Sequence, residues 1–314
     1  MWRFKAIQSS LSVGILLGLG QAQPCDTWGI PKPFGVLEAA LPEQSGMAFS
    51  SIFPERIYHI NDSGRGNFFY VTDDHGARTV QVGISGFSVD DSDFEALSTA
   101  AWKGKNYIVV ADIGNNAHSN RPLHLLFFEE KQTFSKRETP VLEIDLHYPS
   151  GTFDAEGMSV HPSGDLYILT KEWGVLSKVQ PTRMFRLKSS VWKTALTEKT
   201  RQMDGFLEAW GSIDFQRLAP SVFDLPSRIA TDLAIAPDGQ HFVVLTYKNA
   251  FEFAFDLSKS PLPEMPKNAI QKLLLTNLEQ QEAIAYTPKG ELMYTSERQM
   301  INPPLMYIPC LKFH

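Results

Sequence analysis

Glu156-Gly157-Met158-Ser159-Val160-His161-Pro162-Ser163-Gly164-Asp165-Leu166-Tyr167-Ile168-Leu169-Thr170 reads as a β-hairpin. Met158 and Val160 alternate with polar residues as a half-buried strand does. Pro162 to Asp165 carry turn chemistry, and Leu166 to Thr170 form a second β-rich run. The hairpin recurs. Aligned on the proline and the turn, copies begin at Thr231 and Glu282, and looser copies begin at Ser45 and Glu95. The residue that opens the unit is therefore Ser45, Glu95, Glu156, Thr231 and Glu282 in turn.

Each inner hairpin is followed by a further pair of strand-like runs: 67–72 and 79–84, 123–128 and 141–146, 184–187 and a run near Thr200, 250–255 and 270–275. The last unit has only 305–308, and a segment near the N-terminus, 36–39, is expected to complete it. Four strands per unit, five units and interlocked ends predict an all-β fold, a five-bladed β-propeller. The longest interval, between Glu156 and Thr231, contains residues 207–227 without a matching hairpin. They read as an insertion, with a sixth blade as the alternative.

The chain begins with a short basic region, Met1-Trp2-Arg3-Phe4-Lys5, then an apolar run from Leu11 to Gly20 and small residues at Gly20 and Ala22. This is the pattern of a secretory signal peptide, residues 1–22, too short for a membrane span. Residues 23–314 then form one exported domain, secreted or periplasmic; roughly 290 residues suit a single closed β array. A net charge of −6 without a basic patch excludes nucleic acid as a natural partner. The two cysteines, Cys25 and Cys310, lie at opposite ends of the mature chain. In an oxidising compartment they are expected to form a disulfide that closes the ring, the alternative being two free thiols.

In a propeller the innermost strands line the central channel, so Ser45, Glu95, Glu156, Thr231 and Glu282 fall on one ring. Three converging carboxylates either rise in pKa or attract a cation. Carboxylate and hydroxyl oxygens favour a hard cation, and export supplies Ca²⁺. The plainer alternative is hydrogen bonding to nearby backbone amides.

Because adjacent strands run antiparallel, the ends of the second strands return to the same face. They bring Asn61 and Asp62; Asp112, Asn115 and Asn116; Lys171 and Glu172; Tyr247 and Lys248; and Ser296, Glu297 and Arg298. Asp62, Asp112, Lys171 and Glu297 are the candidate catalytic residues of this rim, suited to orienting water and a small anionic molecule. Asp90, Asp91 and Asp93 could hold a second ion but read more simply as a solvated acidic loop, since they lack EF-hand spacing. The absence of G-x-S-x-G, P-loop and G-x-G-x-x-G patterns argues against a standard serine hydrolase or dinucleotide enzyme.

The order Ser45, Glu95, Glu156, Thr231, Glu282 resembles the hub of the secreted calcium-activated nucleotidases, or soluble apyrases. In that five-bladed family a Ser-Glu-Glu-Ser-Glu set holds one axial Ca²⁺. Asn61-Asp62-Ser63-Gly64 stands where the family carries an Asp-Asp-Arg-Thr-Gly nucleotide-binding stretch. Here the first aspartate is Asn61, the arginine is Ser63, and Thr231 replaces a serine. The hairpin pattern is also similar to the six-bladed gluconolactonase and paraoxonase lactonases, and the terminal cysteine pair is similar to that of paraoxonase. These resemblances imply a calcium-holding propeller acting on phosphate anhydrides or esters, or alternatively on lactones, and the chain itself is expected to be a monomer. The competing class is a binding propeller with structural calcium.

Overall fold

The computed structural model describes residues 24–62, 66–87, 92–172, 180–221, 224–263, 269–297 and 301–313. The expected signal peptide, 1–22, lies outside them, as do Ser63, Gly64, Asp90, Asp91 and Arg298. No helix among the described residues is long and apolar enough to cross a membrane.

Five sheets, each with four antiparallel strands and two of them with a parallel fifth, form the blades of a propeller. Their innermost strands are Gln44–Phe49, Phe94–Trp102, Ala155–Val160, Ala230–Ile235 and Gln281–Tyr286. Each packs on the next, and Gln281–Tyr286 packs back on Gln44–Phe49, so the ring closes at five and leaves no place for a sixth blade. Blade 5 consists of Gln281–Tyr286, Leu292–Ser296, Pro304–Ile308 and, as its outer strand, Lys32–Val36 from the N-terminal side.

The closing strand therefore lies before the expected 36–39. Past Val36 the chain turns inward, and Leu37 and Leu41 become fully buried beside Tyr70. Cys25 and Cys310, the first residues of the two strands of an antiparallel ribbon, Cys25–Trp28 with Cys310–Phe313, are joined in a disulfide. The ribbon is pinned to the ring by Trp28 Nε1, which donates to Glu252 Oε2 at 2.7 Å.

Blade 3 departs most from the expectation. Its outer strand is Glu208–Ile213, inside the presumed insertion, while Gln202–Phe206 joins blade 2 as a parallel fifth strand. Between blade 3's third strand and that excursion lies a helix, Ser189–Glu198. Its Trp192 is fully buried against Phe127 and donates to the Gly164 carbonyl at 2.8 Å. Gly211, at φ +119°, interrupts the apolar alternation of Glu208–Ile213; a Cβ there would approach Leu262 Cβ to 2.7 Å.

Inner strands expose one edge, whose amides and carbonyls need partners. Side chains of the adjacent blade supply several. Ser98 Oγ accepts from the Val160 amide and Ser159 Oγ from the Ile235 amide, both at 3.1 Å, and Asp232 Oδ2 accepts from the Ile284 amide at 2.8 Å. Gly46, Ala96, Gly157 and Ala283 follow the hub residue in four blades, where space is short: a Cβ on Gly157 would lie 2.7 Å from the Leu233 nitrogen. Next comes an apolar collar of Met47, Leu97, Met158, Leu233 and Ile284. It lines a channel cavity of about 470 Å³ that extends past the hairpin turns to the opposite face.

Candidate functional site

All five hub residues occupy the same local defect. In every blade the ladder between the first and second strands skips one residue. Gln44 pairs with Asn61 and Gly46 with Ile60; Phe94 with Asp112 and Ala96 with Ala111; Ala155 with Thr170 and Gly157 with Leu169; Ala230 with Thr246 and Asp232 with Leu245; Gln281 with Ser296 and Ala283 with Thr295. The skipped residues are Ser45, Glu95, Glu156, Thr231 and Glu282. A β-bulge re-aims a side chain that regular pleating would direct elsewhere, and five bulges in register do this around one axis.

The five are buried. Ser45 Oγ donates within reach of two acceptors on Glu95, Oε2 at 2.8 Å and the carbonyl at 3.0 Å. Thr231 Oγ1 donates to the Gln281 carbonyl at 2.8 Å. Both hydroxyls thus give their proton to protein, which leaves their lone pairs as the remaining ligand capacity. Lys171 Nζ donates to Glu156 Oε1 at 2.7 Å and stands 5.4 Å from the centre of the Tyr247 ring.

Burial, followed by the charges of Glu156, Asp62, Asp93 and Glu282, pushes the Glu95 carboxyl well above the usual range. Burial together with Glu156 and Glu297 does the same to Glu282. Glu156 is pushed up to about 8 by burial, which outweighs the opposing pull of Lys171. On Lys171 burial works against the charge, but Glu156 and the other acidic groups outweigh it and the ammonium is held.

Three of the four rim candidates join this ring. Asp62 acts on Glu95, Glu156 and Glu282, and Glu297 is pushed up by burial and then by Asp62. Lys171 joins it through Glu156. Asp112 is placed differently: it is fully buried, and its Oδ1 accepts from the Asp93 amide at 2.6 Å and from Arg121 at 2.5 Å.

Two further carboxyls belong to the ring. Asp93 is pushed up to about 7 by burial and by Asp62. Asp154 is raised by burial while its Oδ1 accepts from the Asn115 amide at 2.7 Å. Asp93 is thus no solvated loop residue. The signal for both was an Asp-x-Glu pattern, Asp93-Phe94-Glu95 and Asp154-Ala155-Glu156, that repeats at the mouths of blades 2 and 3.

One oxygen each from Asp62, Asp93 and Glu95 lies within 4.8 Å of the other two. Oxygens around Ca²⁺ at about 2.4 Å are at most about 4.8 Å apart, so this set is compact enough for its members to share a single hard cation. The donor set around it is all oxygen, with Ser45 against Glu95 and with Glu156 and Glu282 acting on Glu95 from the neighbouring blades.

No family model matches the chain, and no curated protein matches it. Among solved structures it is similar to regucalcin, a calcium-binding protein from Agrobacterium tumefaciens, at 12% identity over 87% of this chain and 72% of that one, TM-score 0.43. It is similar to a gluconolactonase from Xanthomonas campestris at 12% identity over 94% of this chain and 89% of that one, TM-score 0.41. It is also similar to the PQQ-bound aldose sugar dehydrogenase of Streptomyces coelicolor at 11% identity over 92% and 100%, TM-score 0.49. Overlaps of this extent carry no chemistry across, and the hub is read from its own atoms.

Proposed function

We propose that the chain is an exported calcium-binding propeller whose hub face hydrolyses a small anionic phosphate anhydride or ester. The observation that supports this reading is the gathering of seven carboxyls, Asp62, Asp93, Glu95, Asp154, Glu156, Glu282 and Glu297, into one electrostatically connected group. Such a group is costly to bury unless cations or protons neutralise it. The Cys25–Cys310 disulfide suits an oxidising compartment, where calcium is abundant.

In this reading Asp62, Asp93 and Glu95 are the principal ligands, with Ser45, Glu156, Thr231 and Glu282 completing the ring. Bound there, calcium would polarise a phosphoryl or ester oxygen. Lys171, fixed by Glu156, presents an ammonium to an anionic oxygen of the substrate. Glu297, whose carboxyl is raised by burial, is suited to accept a proton from water. Asp112 serves by holding the Asp93 amide and Arg121 in place.

One observation favours a second reading, in which calcium only ties the blades together. The Ser45 and Thr231 hydroxyls already bridge to the next blade, and an ion on the same ring would extend that stitching.

Calcium titration by calorimetry, with thermal melting in calcium and in chelator, tests the hub. A melting temperature unmoved by calcium would remove both readings. Turnover of nucleoside diphosphates, phosphate monoesters and lactones with and without Ca²⁺ then separates them. Calcium-dependent phosphate release supports the hydrolase, lactone opening supports a lactonase, and stabilisation without any turnover supports the structural role.

A further inference from the structure

Blade 2 carries a second group of metal-ligating side chains on its outer strands, independent of the hub ring. His124, on the strand Leu123–Glu129, faces Asp145 directly across the ladder on Leu142–His147. Glu143 lies two residues from Asp145 and so on the same face. Both carboxylates converge on one ring nitrogen: His124 Nδ1 is 3.0 Å from Asp145 Oδ1 and 3.4 Å from Glu143 Oε1. A single N–H does not require two carboxylates. The three ligand atoms lie within 4.8 Å of one another, and Gln202 Nε2 fixes the other oxygen of Asp145 at 3.1 Å.

A separate observation points to what is bound. His124 is 6% exposed, and its Nε2 is buried without a hydrogen-bond partner. On the strand to its other side, Asp112 lies directly across from it. Asp112 is fully buried, and while Oδ1 is taken by the Asp93 amide and Arg121, Oδ2 has no partner. Buried polar groups are rarely left unmatched, and two in register on adjacent strands need a common reason.

A cation on Nδ1 supplies one. It requires a lone pair there, so the proton of the neutral imidazole moves to Nε2. The unmatched nitrogen becomes a donor, and Asp112, its cross-strand neighbour, carries the unmatched oxygen that a small side-chain adjustment would bring to it. A metal-ligating histidine that donates its other N–H to a carboxylate is the usual outer-shell arrangement.

We propose that His124, Glu143 and Asp145 bind a first-row divalent cation of the Zn²⁺ class, with Asp112 as the positioning carboxylate behind the histidine. One nitrogen and two carboxylate oxygens give three protein ligands and leave a position for water. The imidazole selects this site for a softer ion than the all-oxygen hub takes.

The experiment uses the full mature chain with its hub saturated by excess Ca²⁺, titrated with Co²⁺ as a coloured stand-in and then with Zn²⁺. One equivalent of Co²⁺ with visible ligand-field bands, displaced by Zn²⁺, is expected. Asp145→Asn and Glu143→Gln, at partly exposed positions and checked for folding by circular dichroism, should each weaken binding at least about tenfold. Asp112→Asn should weaken it about ten- to a hundredfold, and Glu95→Gln at the hub should leave it unchanged. Absence of stoichiometric Co²⁺ uptake would overturn the proposal. So would uptake insensitive to Asp145→Asn and Glu143→Gln, or uptake lost in Glu95→Gln.

Discussion

The Lys171 ammonium lies 2.7 Å from Glu156 Oε1, and the two side chains are 11% and 2% exposed. A buried ion pair adds little net stability, but removing one partner strands the other charge. Glu156 is ionised only above about 8, so Lys171→Met should cost about 3 kcal/mol in chelator at pH 9, read from urea unfolding, and less at pH 7, where the carboxyl can take up a proton instead. In saturating Ca²⁺ the cost should shrink, because the ion takes over the ammonium's role beside Glu156. An equal cost with and without calcium would show that Glu156 and the ion do not share a site.

Glu95 supplies the opposite sign. Its carboxyl is held well above the ordinary range, first by burial and then by its acidic neighbours. The folded protein therefore keeps a proton there at pH values where the unfolded chain has lost it. Calcium-free stability should fall as pH rises above the unfolded value near 4.5. Glu95→Gln removes that penalty, so it should flatten the pH slope and stabilise the calcium-free protein while weakening calcium binding by about tenfold or more. A variant destabilised in chelator, or one with full calcium affinity, would contradict the placement of the ion.

Gly114 gives a test that leaves every ligand in place. A Cβ there would stand 2.5 Å from both Asp93 Cγ and Glu95 Oε1. These are ends of side chains, which can give way where backbone could not. Gly114→Ala should cost less than about 1 kcal/mol of stability and yet lower calcium affinity about tenfold by pushing two ligands aside. Unchanged affinity on calorimetric titration would place the ion elsewhere on the ring.

The propeller was legible because its unit repeats and its turns carry Pro and Gly at fixed offsets, as in 162–164, 237–239 and 288–290. The hub column was legible for the same reason: Glu95, Glu156 and Glu282 open equivalent strands. Blade 3 was not, because a helix intervenes and the strand order leaves the chain order there, with Gln202–Phe206 passing to the neighbouring sheet. No local pattern encodes which sheet an edge strand joins. The bulges were equally hidden, since a skipped residue looks the same as a paired one. The roles of Asp93 and Asp112 depended on how far each is buried. An aspartate in an acidic loop and one inside a carboxylate ring have the same letter, and only the Asp-x-Glu repetition distinguished Asp93.

His59 carries the last prediction. It is fully buried on the strand Arg56–Asn61, with Nε2 2.9 Å from Thr72 Oγ1. That hydroxyl donates to the Asp73 carbonyl, so it accepts from His59, which places the proton on Nε2 and leaves Nδ1 bare and unpartnered. Burial of the imidazolium lowers the pKa to about 3. The unfolded chain, titrating near 6.5, then binds a proton that the folded one refuses. The contribution to stability is complete above pH 6.5 and is lost as the pH falls towards 3. By pH 4.5 this residue alone should remove about 3 kcal/mol. The hub carboxyls act in the opposite direction, so the measurement is a difference. Urea unfolding of wild type and His59→Leu at pH 7.5 and 4.5, both in Ca²⁺, should show the stability gap moving by about 3 kcal/mol in favour of the variant as the pH falls. A gap that stays constant would mean that His59 is already charged in the folded protein.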